Sequence, residues 1–406
     1  MSEARVENGR PLRIAFVSSH PVPYHAPTYR ALAARPDVDL EVLFLHHHGV
    51  EETFDRQFGR AIKFDVPLLE GFRYRFLKNV SPRPSLFFGG LVNPDLPLAV
   101  ARGDYDAVVI HGYASVSTLS ALIGPRARGT RVLLRSESVL VDHRSPSKRA
   151  LKQVVLRALF MRIDHFLAIG TQSRDYFRAY GVSPSRISMS PYSVDNQYFA
   201  DHSAEARSDP AAARSRLGLP IDRPLFLYCS KIIAHKRPLD VLRAFARARR
   251  KANAGLVYVG DGPQMAELRA EIARTGLEQD VRVLGFRNQS ELPTIYGACD
   301  VFVQASEREP WGMVINEAMA CGMAICASER VGSAYDLVKD NGAVFPVGDV
   351  DRLAELCSAW SSAPDEVDRM KAASRRIIEQ WGPGQTAEGV VRGVRAAFGA
   401  RAEQRR

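Results

Sequence analysis

The chain has 406 residues, 46% of them hydrophobic and 25% charged, with a formal net charge of +10. That length asks for two or three domains, and the balance suits soluble cores while excluding fibrous and disordered classes. The charge is uneven: residues 1–200 hold 26 Lys and Arg against 18 Asp and Glu, a net of +8, whereas residues 201–406 hold 29 against 27, a net of +2.

No apolar run approaches the roughly 20 residues of a membrane span, and the opening MSEARVENGRP has no signal-peptide core, so a cytoplasmic location is expected. Five cysteines provide no disulfide framework, and Cys321 and Cys326 lack a second pair for zinc, so reduced cysteines in or near a core are expected. No basic helix or aromatic-interleaved module points to nucleic acid. The basic first half could steer phosphorylated sugars, lipid diphosphates or an anionic membrane surface, or it could be Arg-rich composition with no partner.

In chain order, Leu12 to Val17 reads as a strand, the proline-broken loop Ser18–Tyr24 follows, and a helix passes through Tyr29–Ala33. Leu40–Leu45 is the second strand, completing a β-α-β opening without the G-x-G-x-x-G of a nicotinamide site. His46, His47 and His48 alternate in direction at a strand end and make a poor chelate. Residues 51–100 form an aromatic, Pro-rich insertion with Phe54, Phe58, Phe64, Phe72, Tyr74, Phe76, Phe87 and Phe88, suited to a satellite core or an acceptor-side wall. Asp106–Ile110 is a buried strand ending at His111-Gly112. An isolated histidine there is ordinarily structural. Val132–Arg135 repeats the pattern before Ser136-Glu137-Ser138, Lys148–Met161 is an amphipathic basic helix, and Ile163–Gly170 is the next strand.

Residues 200–223 read as a linker with one polar helix, Ala211–Leu217. Leu225–Cys229 opens a second alternating α/β series. Lys231, Lys236 and Arg237 follow that strand and make a natural anion site, or else a solvated basic loop. Leu256–Val259 runs into the turn Gly260-Asp261-Gly262-Pro263, Val281–Phe286 is a further strand, and Val301–Val303 leads into SEREPWGMVINEAMACGMAIC (306–326). There Glu309 lies in a Pro-interrupted loop, and Glu317 lies within a small-residue helix where an unpaired carboxylate would be costly. Both follow a strand, where helix N-termini face anions.

Glu309 and Glu317, with Pro310, Gly312 and the Glu317–Gly322 continuation, resemble the E-x7-E motif of family 4 retaining glycosyltransferases, the group 1 type. The resemblance covers residues 225–346 in order and spacing. It extends to the G-(R/K)-L…K-(G/R) stretch at Lys231 and Lys236, with Ser230 in place of the usual glycine, and to the G-x-G-P turn at Gly260. The first half matches less, since His20-Pro21-Val22-Pro23-Tyr24 stands where members often carry a Gly-Gly pair.

The resemblance implies a GT-B fold of two Rossmann-like α/β domains: residues 1–197 on the acceptor side, 198–380 binding a nucleotide-sugar donor, and 381–406 as a C-terminal helix crossing back with a basic tail. It implies that Lys231 and Lys236, with backbone N–H groups around Gly312 and Met313, hold the donor diphosphate. Glu317 would take ribose hydroxyls, Gly285, Phe286 and Gly260 would border the nucleoside, and Glu309 and His111 would hold the donor sugar. No Asp-x-Asp signature lies at a strand end, so no metal and no other cofactor is expected. The expected reaction is retaining transfer of the sugar to a hydroxyl of a sugar or lipid-linked acceptor, in polysaccharide or glycoconjugate biosynthesis, with a peripheral place at an anionic inner membrane face among the expectations. The alternatives are a GT-B sugar-nucleotide hydrolase or epimerase, and a non-catalytic nucleotide-sugar-binding module.

Overall fold

Short runs of Val, Ile, Leu and Phe separated by helix-length polar stretches bury both faces of each strand, the signature of parallel sheets. The computed structural model describes residues 10–55, 60–124, 126–127, 129–140 and 145–403; the N-terminal tail, Phe58 and the last three residues of the basic tail lie outside the described residues. Strands β1 (Leu12–Ser18) and β2 (Val38–Phe44) are followed by a small antiparallel hairpin, β3 (Thr53–Asp55) with β4 (Arg60–Ile62). Then come β5 (Arg73–Phe76), β6 (Ala107–His111), β7 (Arg131–Ser136), β8 (His165–Ala168) and β9 (Ile187–Met189). Without the hairpin these form a seven-stranded parallel sheet, β5-β2-β1-β6-β7-β8-β9.

The second sheet is also parallel, with β10 (Leu225–Cys229), β11 (Gly255–Val259), β12 (Val281–Gly285), β13 (Val301–Gln304), β14 (Ala324–Ser328) and β15 (Gly342–Phe345) in the order β12-β11-β10-β13-β14-β15. In each sheet the direction of travel reverses once, between β1 and β6 in the first and between β10 and β13 in the second. Loops leaving the carboxyl ends of such neighbouring strands diverge and open a crevice, the usual ligand position in an open α/β sheet.

The chain divides into two units, residues 1–51, 67–193 and 383–406 in the first and residues 52–66 and 194–382 in the second. The division after Ser193 precedes the expected 197/198 boundary. Residues 52–66, which the sequence reading kept in the first domain, belong to the second unit. Two further details depart from that reading. Arg73–Phe76 in the aromatic insertion is an edge strand paired to β2, hidden from periodicity because it is largely exposed. The linker holds three short helices, Asn196–His202, Ala204–Ser208 and Pro210–Arg216, in place of one. Asp195 caps the first and Asp209 the third, their side chains accepting from the Tyr198 and Ala212 amides, while the second begins at Ser203 without a side-chain cap.

The C-terminal helix Pro383–Glu403 packs within the first unit against β7, β8, β9 and the helix Ala26–Ala33. Val390, Val391, Val394 and Phe398 join the core on that face of the sheet. Gly389 and Gly393 let the backbones approach: a Cβ at Gly389 would stand 2.1 Å from the Met189 carbonyl, and one at Gly393 would stand 2.4 Å from Leu167. Among the described residues no helix is long and apolar enough to cross a membrane. All five cysteines are buried and unpaired.

This packing separates three glycines of one helix. Gly389→Ala should lower the midpoint of thermal denaturation by about 1–3 kcal/mol of overpacking or more. Gly399→Ala, where a Cβ meets nothing within 4 Å, should be neutral or stabilising by about 0.5–1 kcal/mol. Equal effects at the two positions in a thermal melt would contradict the packing described.

Candidate active site

The second unit's crevice is built by the loops that follow β10 and β13. After Cys229 the chain turns through Ser230–Arg237, tied down by the buried Tyr228, whose hydroxyl donates to the Lys231 and Lys236 carbonyls at 3.0 and 3.4 Å. The Ile232 amide donates to the Asp261 carbonyl at 2.9 Å, locking this loop to the turn after β11. Gly260 makes that approach possible, because a Cβ there would lie 2.0 Å from the Ser230 carbonyl. Ser230 stands where the family usually has glycine, and the glycine at this loop-to-loop contact is Gly260, after the neighbouring strand β11. Arg237 ends the loop at φ 52°, the one non-glycine positive φ among the described residues, and begins the helix Pro238–Arg249. Its guanidinium donates to Asp240 at 2.6 Å, which offsets part of the strain of a left-handed residue.

Lys236 reaches across to Glu309, its ammonium in close contact with Oε2, and both side chains are about five-sixths buried. Gln304 donates to the same oxygen at 3.2 Å. Burial and the like charge of Lys231 pull Lys236 down to about 8, a pull its contact with Glu309 opposes, so the ammonium remains charged at neutral pH. The Glu309 backbone is fixed by pairing with the stretch after β14, its amide donating to Arg330 and its carbonyl accepting from Gly332.

Gly312, at φ 94°, precedes the helix Met313–Ala320. A Cβ there would press within 3.1 Å of both Glu309 Cγ and Val331, so the chain can turn into the helix beside Glu309 only at a glycine. No side chain caps this helix. Its leading amides and the positive end of its dipole therefore add to the cations of the β10 loop. Lys231, Lys236, Glu309, Gly312 and Met313 all belong to the loops at this reversal point of the sheet.

One turn into the helix, Glu317 is 6% exposed. The Tyr296 hydroxyl donates to its Oε2 at 2.8 Å, and the nearby Gln289 side chain also favours the charged carboxylate. Burial outweighs both and pushes Glu317 up to about 7. Gly285 (φ 72°) and Phe286 lead from β12 into the loop carrying Gln289, and the Gly285 carbonyl accepts from Gly260. Tyr296 and Gln289 escape sequence reasoning: the Tyr lies in an unremarkable helix, and only the fold brings it to Glu317.

His111 lies in the first unit, at the reversal point between β1 and β6. Arg135 Nη1 lies 3.4 Å from Nδ1, and because a guanidinium only donates, the ring proton belongs on Nε2. Nε2 is 2.9 Å from the Tyr192 hydroxyl and 3.5 Å from Glu137 Oε1, and Tyr192 itself donates to that same Oε1. Both ring nitrogens are therefore engaged by neighbours in the unit. Burial lowers the His111 pKa, against the Glu137 hydrogen bond, which leaves the ring neutral. Enclosure tends to raise Glu137, but the bonds from His111 and Tyr192 and the Arg135 charge hold it below its ordinary value. His25, 7% exposed, packs edge-on against His111 with ring centroids 4.7 Å apart. Glu137 was legible as a strand-end carboxylate, whereas Tyr192 and His25 are gathered by topology alone.

Among the described residues no three His, Cys, Asp or Glu side chains are gathered to hold a metal. The histidine run separates: the His46 ring accepts from the His48 amide, and His47 stacks on Phe76 at 3.9 Å.

Glu317 supplies a test. A carboxyl raised from 4.5 to about 7 in the fold costs stability increasingly as pH rises between those values, because the unfolded chain releases the proton earlier. Glu317→Gln should thus gain thermal stability over the parent at pH 8, by up to about 3 kcal/mol, with the gain shrinking toward pH 5. A difference independent of pH would assign that ionisation elsewhere.

The model for glycosyl transferases group 1 matches residues 210–377, and that for the glycosyl transferase 4-like domain matches residues 21–193. A D-inositol 3-phosphate glycosyltransferase of Salinispora arenicola is 25% identical over 370 residues, covering 82% of this chain and 79% of that protein. A GDP-mannose-dependent alpha-(1-6)-phosphatidylinositol monomannoside mannosyltransferase of Mycobacterium tuberculosis is 28% identical over 328 residues, covering 76% and 80%. Among solved structures, Anabaena HepE in complex with UDP superposes with a TM-score of 0.69 at 20% identity, covering 95% of this chain and 100% of that one. A glycosyltransferase from Rickettsia africae superposes with 0.71 at 14% identity, covering 96% and 99%. Two consecutive family models spanning most of the chain, on two parallel-sheet units of the GT-B kind, make it a member of the group 1, family 4-type glycosyltransferases, enzymes that transfer sugars.

Proposed function

We propose that the second unit binds a nucleoside diphosphate sugar without a metal ion, and that the enzyme passes the sugar, with retention, to a hydroxyl of a sugar or lipid-linked acceptor at an anionic membrane face. The observation that carries the donor reading is the meeting of Lys236, Glu309 and the uncapped helix Met313–Ala320 at the sheet's reversal point, one helical turn from the buried Glu317. Lys231 and Lys236, with the amides near Gly312 and Met313, supply positive potential where a diphosphate leaving group needs it. An arriving diphosphate draws the Lys236 ammonium and releases Glu309 to accept hydroxyls of the sugar. Glu317 accepts two ribose hydroxyls as a carboxylate, with Gly260, Gly285 and Phe286 bordering the nucleoside.

In the transfer, the acceptor oxygen bonds to the anomeric carbon on the face from which the phosphate departs. The bond from that carbon to the phosphate oxygen breaks, and the phosphate oxygen takes the acceptor proton. Glu309 forms no covalent bond in this scheme. His111, neutral and oriented by Arg135 and Tyr192, helps to place the sugar.

Relatives named for inositol 3-phosphate and for a phosphatidylinositol mannoside, one of them dependent on GDP-mannose, support a phosphorylated or lipid-linked acceptor. A surface feature supports the membrane face. Of the sixteen exposed large apolar side chains among the described residues, twelve fall between residues 80 and 161 in the first unit. Phe87, Leu151, Val154 and Met161 are each more than 60% exposed, and Lys148 and Arg149 share the helix Pro146–Phe160 with two of them. Apolar ridges beside cations are the composition of an interfacial helix.

UDP, GDP, ADP and TDP should be screened by thermal shift, with and without EDTA. One nucleotide is expected to raise the midpoint in both conditions through mass action, and Lys236→Ala to abolish the shift. A shift that vanishes with EDTA would end the metal-free reading, and no shift with any nucleotide would favour a binding module of another kind. Separately, the protein should float with phosphatidylglycerol vesicles at low salt, and Leu151→Glu with Val154→Glu should leave it at the bottom of the gradient. Flotation unchanged by those two charges would remove the helix from the membrane reading.

A further inference from the structure

Residues 52–66 leave the first unit in sequence after Glu51, and the chain returns to it at Pro67, yet this stretch belongs to the second unit. Its attachment is specific. The Lys63 carbonyl accepts from Asn288 Nδ2 at 2.9 Å, Asp65 Oδ1 accepts from the Ser290 amide at 3.2 Å, and Asp65 Oδ2 accepts from the Ser290 hydroxyl. All three contacts fall on residues 288 and 290, which flank Gln289.

Gln289 lies near the buried Glu317 carboxyl and favours its charged form. Tyr296, which donates to that carboxyl, lies on the helix Leu292–Ala298 that the same loop feeds. The loop is also braced from its own side, for Asn288 and Glu291 exchange a backbone-to-carboxylate bond at 2.9 Å and Arg287 donates to Glu291 at 2.9 Å. Gln289 and the start of the helix that carries Tyr296 thus adjoin a strap from a distant part of the sequence, Asp65 and Ser290 being 225 residues apart.

We propose that Lys63 and Asp65 position the donor site, holding loop 288–290 so that Gln289 and Tyr296 orient Glu317 toward the ribose of a nucleoside diphosphate. The inference rests on the donor reading above and adds a positioning role for a part of the chain distant from the Lys231–Arg237 and Glu309–Glu317 stretches. Asp65 is exposed, so it contributes little to global stability, and its effect is local to the loop. A contact that served only to hold the fold would act on the melting midpoint and leave ribose recognition alone.

The test measures UDP and GDP dissociation constants by calorimetry, together with nucleotide-free melting, for the full chain and for Asp65→Ala, Asp65→Asn, Gln289→Ala and the Asp65→Ala/Gln289→Ala pair. Asp65→Ala is expected to weaken the nucleotide that binds by about three- to tenfold, the scale of one net hydrogen bond, with the melting midpoint unmoved. Asp65→Asn, which keeps an acceptor for Ser290, should recover most of the affinity. The double variant should bind no more weakly than Gln289→Ala alone, since both changes cut one chain of contacts. The pH at which affinity changes should also move in Asp65→Ala, because Gln289 bears on the Glu317 proton. Parent affinity in Asp65→Ala, or losses that add fully in the double variant, would overturn the strap while leaving the donor site standing. A parent chain that binds neither nucleotide would overturn the donor reading and the strap with it.

Discussion

Lys236 and Glu309 meet because β10 and β13 are neighbours while the connections on either side of them run in opposite directions. A pair this deeply buried adds little net stability, since desolvation consumes most of the attraction, but either charge left alone would be costly. Everything around it serves to bring the two loops to one point. Tyr228 staples the first loop from below, Gly260 admits its backbone, Arg237 accepts a left-handed conformation to end it, and Gly312 turns the second loop into a helix without displacing the carboxylate. A charged pair held by so many independent constraints is suited to exchange one partner for an incoming anion without rearrangement of the frame.

The first unit solves the polar problem differently. Its reversal point gathers His25, His111, Arg135 and Glu137 around Tyr192, and burial drives His25 and His111, like His20 beside His48, below their ordinary values, His20 to about 3. Protonation is suppressed there, and the Arg135 guanidinium, stacked 4.5 Å over the Tyr192 ring, is the cation that balances Glu137. The two units thus present unlike surroundings: one gathers the cations Lys231 and Lys236 at a helix N-terminus, the other is nearly neutral and rich in fixed hydrogen-bond geometry.

Much of this architecture is readable from residue order. Buried parallel strands announce themselves as short runs such as Val301–Gln304, and glycines at Gly260 and Gly312 mark where backbones must turn or touch. Glu309 and Glu317 pointed to the family only together with Pro310, Gly312 and the Glu317–Gly322 continuation, and the group 1 match bears the family out. What periodicity does not encode is long-range partnership. Nothing local marks Arg73–Phe76 as a strand, because its side chains are largely exposed and its pairing to β2 goes through backbone. Nothing in Tyr296, Gln289 or Asp65 names Glu317 or Ser290 as a partner, since those distances in sequence collapse only on folding. The caps at Asp195 and Asp209 were visible in principle as helix starts, whereas the break at Ser203 carries no side-chain cap to mark it.

The five cysteines lend this chain a property unrelated to transfer. Cys229, Cys299, Cys321, Cys326 and Cys357 all belong to the second unit, and burial raises every one of their thiols, Cys229 and Cys357 to about 12. Thiolate is the reactive form, so burial and the raised thiols slow alkylation of the folded unit. Opening of the unit speeds it, so the rate of modification reports on exposure of that unit alone. The sulfur atoms make the second unit its own clock, while the unit bearing His111 keeps silent on the same scale.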